Sequence, residues 1–222
     1  MAEMLTLTAS DGHKFQAYLA QPSGKPKGGI VVVQEIFGVN SHIRSVVDGY
    51  AADGYLTIAP ALFDRVEPGI ELGYEADDIA QGRDLKDKCG NETPLLDIQA
   101  AVNAVQSAGK VGVVGYCWGG TLTWLSGTRL EGVAAVSGYY GGGIGNYAAE
   151  TPKAAAMMHF GENDHAIPLD EVAKINEHHA DIPVHIYPAG HGFNCDQRGS
   201  FDAKCSEIAR ERTIAHFAKH VG

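Results

Sequence analysis

Val111-Gly112-Val113-Val114-Gly115-Tyr116-Cys117-Trp118-Gly119-Gly120 is the stretch on which the reading of this chain turns. Its first half is apolar and β-branched without alternation, as a strand covered on both faces is. Its second half reads Gly-x-Cys-x-Gly, and Gly119–Leu130 carries a helical pattern. A strand passing into a helix through so sharp a turn crowds the two backbones, and glycines remove the side chains that would clash there. The turn lifts Cys117 above the end of the strand and aims the next helix's N-terminus at its sulfur. The positive end of that helix favours the thiolate, the reactive form. Taken alone, the pattern fits a structural cysteine in a glycine-rich turn equally well.

Outward from this turn, strands and helices alternate. Leu5–Thr8 and Lys14–Leu19, around Asp11-Gly12, read as an N-terminal β-hairpin. Ile30–Val33 is a buried strand, Ser41 is placed as the cap of a helix closed by Gly54, and Leu56–Ala59 is a strand ended by Pro60. Residues 64–92 are polar, with a helix expected over about Asp77–Lys88. Thr93-Pro94 marks a helix start, Thr93 as cap. Val133–Ser137, Ala155–Phe160 and Val184–Tyr187 read as strands, and Glu171–His179 and Ser206–Lys219 as helices. The alternation predicts one α/β domain over 1–222, its sheet mostly parallel and covered by helices on both faces. In such folds ligands sit beyond the carboxyl ends of the strands, so the segments after each strand are where chemistry is expected.

The strand ending at Phe160 leads into Gly161-Glu162-Asn163-Asp164, and the one ending at Tyr187 into Pro188-Ala189-Gly190-His191. Nucleophile, acid and base thus follow three separate strands in the order found in α/β-hydrolases. Cys117 is the candidate nucleophile, His191 the base that holds its proton, and Asp164 the acid that fixes the imidazole tautomer. Glu162 is the rival for the acid role. Gln34-Glu35-Ile36-Phe37-Gly38, after the first parallel strand, lies where this fold places an oxyanion-hole amide; the backbone N–H groups of Ile36 and Trp118 are the expected pair. Glu35 is a carboxylate in an apolar loop, and its alternative role is an exposed ion pair with an arginine such as Arg44.

These segments, with Gly138-Tyr139-Tyr140-Gly141 and Gly190-His191-x-Phe193, resemble the dienelactone hydrolase family over nearly the whole chain. The resemblance implies the α/β-hydrolase fold, a Cys-His-Asp triad, and cleavage of an ester or lactone by way of an acyl-enzyme. It further implies that Glu35 contacts the resting thiol and takes its proton when substrate enters, an exchange that a buried carboxyl of raised proton affinity favours. Family members acting on dienelactone hold its carboxylate with arginines, one of them two residues after the Phe of the His-x-Phe motif. Here that residue is Cys195. A neutral ester or lactone is therefore the expected substrate, in a pocket lined by Phe37, Trp118, Tyr140 and Phe193, with Arg198 or Arg83 as the arginine that might otherwise take a carboxylate. Two alternatives share these residues: a thioesterase or acyltransferase with the same triad, and a non-catalytic member whose Cys117 serves as a redox sensor.

Composition narrows the remaining classes. Lys and Arg number 17 against 27 Asp and Glu, a formal charge of −10 that opposes nucleic-acid or anionic-membrane partners. The longest unbroken apolar run, Ala154–Met158, is five residues, far below the roughly 20 a membrane-spanning helix requires. No signal peptide is legible, and the four cysteines contain no Cys-x-x-Cys pair, so reduced thiols in the cytoplasm are expected, with Cys195–Cys205 the one pairing left open. His216 and His220 have metal-ligand spacing without a third ligand, and no phosphate-binding glycine loop occurs, so neither metal nor cofactor is expected. A monomer or weak homodimer is the expected assembly.

Overall fold

A computed structural model describes residues 2–222. Its strands are β1 (Ala2–Thr8), β2 (Lys14–Ala20), β3 (Gly29–Val33), β4 (Leu56–Pro60), β5 (Val111–Tyr116), β6 (Val133–Tyr139), β7 (Ala155–Gly161) and β8 (Val184–Tyr187). The helices are α1 (Ser41–Ala52), α2 (Ala76–Cys89), α3 (Thr93–Val105), α4 (Trp118–Arg129), α5 (Leu169–His178) and α6 (Ala203–His220). All eight strands join one sheet in the order β1-β2-β4-β3-β5-β6-β7-β8. The β1–β2 hairpin is antiparallel and attaches antiparallel to β4, while every pairing from β4 through β8 is parallel. Every residue of β3 and β5 is buried, as strands covered on both faces must be.

Two helix starts differ from expectation. Asn40, not Ser41, caps α1: its side-chain oxygen accepts from the Ile43 amide at 3.2 Å, a task either of two adjacent polar residues could perform. Thr93 is the first residue of α3 rather than its cap, and its hydroxyl instead donates to the Cys89 carbonyl at 3.0 Å; Glu92 before it makes no side-chain cap hydrogen bond. Asn40 also donates to the Leu72 carbonyl and the Tyr74 hydroxyl, which fixes it against the loop before α2. Cys195 and Cys205 are both free thiols, so the pairing left open by spacing does not form. Among the described residues, no helix is long and apolar enough to cross a membrane.

The hairpin is locked to the sheet by charge. Arg65, in the turn after β4, makes a two-pronged contact with Asp97 on α3 at 2.7 and 2.8 Å and a further one with Asp11 at 2.8 Å. Asp97 is fully buried, and only a paired guanidinium makes that burial tolerable.

Candidate active site

Cys117 sits between β5 and α4 with φ 56° and ψ −120°, a left-handed conformation costly for any residue with a Cβ. The surrounding contacts impose it. The Cys117 amide donates to the Tyr139 carbonyl at 3.0 Å, and its carbonyl accepts from Gly120 at 2.8 Å. A Cβ at Gly115 would strike the Gly119 carbonyl, and one at Gly119 the carbonyls of Val33 and Gln34. The Gly-x-Cys-x-Gly spacing is therefore a packing requirement of β3, β5 and α4 meeting at one point.

The sulfur is half-buried and meets His191 Nε2 at 3.2 Å; His191 Nδ1 meets Asp164 Oδ2 at 2.7 Å. Asp164 is buried and its other oxygen accepts from the Ala166 amide at 2.9 Å, whereas Glu162 is exposed. Asp164 is thus the acid that reaches the imidazole. Burial acts to push the His191 imidazolium down, but hydrogen bonds and charge from Asp164 and Cys117 outweigh it and hold the group up at about 10. The Tyr140 ring meets the imidazole edge-to-face at 5.1 Å and fixes it from behind.

Cys117 and His191 open onto a cavity of about 680 Å³ at the carboxyl ends of the strands. Ile36, Phe37, Trp118, Arg83 and Arg198, all singled out in the sequence, line it. Neither the Ile36 nor the Trp118 amide donates to a backbone acceptor among the described residues, so both remain available to an oxyanion. Tyr140 and Phe193 do not line the cavity. Both are fully buried and pack against each other at 5.4 Å, so that Phe193 supports the Tyr140 ring that meets His191. The cavity rim comes instead from α2 and the turns around it: Ile79, Lys86, Asn91, Tyr147 and Ile167. Sequence reading missed these because a polar helix does not disclose which face it turns to a cavity. Asn91 accepts from the Trp118 indole at 2.9 Å and donates to Tyr147 at 3.1 Å.

Glu35 is buried and faces Arg198, whose Nη1 lies 3.5 Å away. Arg44 pairs with Glu71 instead, so the arginine beside Glu35 is Arg198, and the carboxyl is buried rather than exposed. Burial pushes the Glu35 carboxyl up, against the opposing pull of Arg198, His42 and His191. The contact that the Cys117 sulfur makes here is with His191 rather than with Glu35.

A second groove, of about 670 Å³, lies between the start of β7 and α6 and includes His216 and His220. It holds no cysteine. His216 Nε2 is engaged by the Ala155 carbonyl at 3.1 Å.

The dienelactone hydrolase family model matches residues 15–221. A Synechocystis protein provisionally named carboxymethylenebutenolidase is 37% identical over 216 residues, covering 88% of this chain and 87% of its own. The carboxymethylenebutenolidase of Pseudomonas putida is 33% identical over 229 residues, covering 98% and 97%. The crystal structure of a Klebsiella pneumoniae protein, provisionally named a dienelactone hydrolase, superposes with a TM-score of 0.86 at 27% identity, covering 99% of this chain and all of that one. On sequence, on fold and on extent of coverage, the chain belongs to the dienelactone hydrolase family.

Proposed function

We propose that this hydrolase cleaves small carboxylic esters or lactones through a thioester on Cys117. The observation that carries the reading is the continuous line from Asp164 to His191 to the Cys117 sulfur, at 2.7 and 3.2 Å, on the wall of a substrate-sized cavity. The thiolate, its proton held by His191, attacks the substrate carbonyl. The resulting oxyanion accepts hydrogen bonds from the Ile36 and Trp118 amides, each worth about 2.7–4 kcal/mol of transition-state stabilisation. His191 then protonates the departing oxygen, and the acyl group stays on sulfur. Water, deprotonated by His191, returns the thiol and releases the acid. Asp164 holds the imidazole in the tautomer these steps need. Glu35 serves as the site's second proton store, a role favoured by its burial.

The cavity also bears on the substrate. Arg83, Lys86 and Arg198 line it against Asp87 and Glu92. Burial favours the neutral form of Glu35, which leaves the charge of Arg198 for a ligand. This arrangement favours a substrate with its own carboxylate, the opposite of the preference expected from Cys195 alone.

Turnover of p-nitrophenyl acetate by Cys117→Ala and His191→Ala tests the triad: both variants are expected to lose nearly all activity, and unchanged hydrolysis in either would refute it. In the same assay Glu35→Gln is expected to slow acylation more than it raises KM. Arg83→Ala is expected to raise KM about tenfold for a carboxylate-bearing ester while sparing the neutral one; equal effects on both would reject the anionic substrate.

A further inference from the structure

At the Glu35 carboxyl, three ligand-type side chains converge. The ligating atoms of Glu35, His42 and Cys195 all lie within 4.8 Å of one another, and all three residues are buried. Two of those side chains carry atoms without a partner: Glu35 Oε2 and His42 Nε2 make no hydrogen bond. Glu35 is 1% exposed and His42 4%. Leaving two polar atoms unsatisfied in the same buried space is expensive, about 1–3 kcal/mol each, and native interiors seldom tolerate it without a reason.

The far side of His42 is equally informative. Its Nδ1 meets Asp196 Oδ1 at 3.0 Å. A carboxylate on Nδ1 fixes the imidazole so that Nε2 presents a lone pair inward, the outer-shell arrangement that accompanies metal-bound histidine. One carboxylate, one imidazole and one thiolate are a donor set for a borderline-soft divalent ion, and tetrahedral zinc takes these three ligand types.

We propose that Glu35, His42 and Cys195 form a binding site for a divalent transition-metal ion of the zinc type. The ligands would meet the ion as carboxylate, neutral imidazole and thiolate, so binding displaces the thiol proton. The Tyr74 hydroxyl beside Cys195, or a water, completes four-coordination. The site takes shape because Cys195 offers a thiol two residues after the Phe of the His-x-Phe motif. Loaded with metal, Glu35 is no longer free to exchange protons; that consequence rests on the function proposed above, so binding and not turnover is the readout.

The test is titration of the full-length protein with Co²⁺, followed by optical spectroscopy, with proton release and competition by Zn²⁺ measured alongside. One equivalent is expected to bind, to release the Cys195 thiol proton, and to give the thiolate-to-cobalt charge-transfer band in the near ultraviolet, which Zn²⁺ then abolishes. The band is expected to persist in Cys117→Ala and to disappear in Cys195→Ser. The exposed outer-shell change Asp196→Ala is expected to weaken binding by about 10–100-fold with the band retained. Absence of a charge-transfer band in the folded wild type, or a band that survives Cys195→Ser, would overturn the proposal.

Discussion

Each of the three side chains in the proposed triad owes its position to a different local device. Cys117 is held in a strained turn by the crowding of three elements, Asp164 by a hydrogen bond that its second oxygen accepts from the Ala166 amide, and His191 by an aromatic ring behind it. These positions were legible in sequence because each follows a strand and glycines punctuate the turns. Tyr140 and Phe193 were not, since an aromatic next to a motif looks the same whether it faces substrate or supports the base. At this scale the account makes a prediction about pH. The folded state holds the His191 imidazolium up at about 10, above the roughly 6.5 of an unfolded histidine. Its contribution to stability is therefore fully present below about pH 6.5 and is lost as pH rises through about 10. Asp164→Asn removes the carboxylate that opposes burial. The alkaline limb of the pH profile of kcat/KM is expected to move down by at least about one unit, with a large fall in the plateau. An alkaline limb that stays in place would show that Asp164 does not set the imidazole's charge.

Among the elements, α2 matters most to the site. Its existence was readable over about Asp77–Lys88, close to the observed Ala76–Cys89, but its role was not. The helix is largely exposed and polar, with only Gly82, Leu85 and Cys89 buried, and such a pattern carries little information about what it covers. Gly82 explains the docking: a Cβ there would collide with the Ile36 carbonyl, so glycine lets α2 lie directly on the loop that carries the proposed oxyanion amide of Ile36. Gly82→Ala must push helix and loop apart. Such overpacking is expected to destabilise by about 1–3 kcal/mol. Displacing the Ile36 amide by an ångström is expected to lower kcat by about 100-fold. Steady-state kinetics beside thermal unfolding check this; a variant with lowered stability and normal kcat would remove α2 from the positioning of the site.

For the molecule as a whole, the mostly parallel sheet follows from the alternation of strands and helices along the sequence, whereas the ties between distant segments do not. The clearest is Arg65, which joins the hairpin turn at Asp11, the end of β4 and buried Asp97 on α3. Nothing in the local pattern around these three residues links them. Arg65→Ala leaves Asp97 buried and unpaired and is expected to cost about 3–5 kcal/mol of stability at neutral pH. Burial already raises the Asp97 carboxyl above its ordinary value despite Arg65, and without the arginine it rises further. A raised acid is least harmful below its unfolded pKa and most harmful above its folded one, so the stability gap between variant and wild type is expected to close as pH falls. Denaturant unfolding across pH measures it, and a gap that widens in acid would contradict the role given to this contact.

The account's central claim is that the acyl group rests on one sulfur before water removes it. Acid-quenching the enzyme during turnover of p-nitrophenyl acetate, followed by peptide mass mapping, tests that claim most directly. The predicted result is an acetyl group on the peptide bearing Cys117, absent from Cys117→Ala and accumulating in proportion to the burst of p-nitrophenol. Turnover at the wild-type rate with the label on another residue, or with no labelled peptide and no burst in a variant slowed only in deacylation, would contradict it.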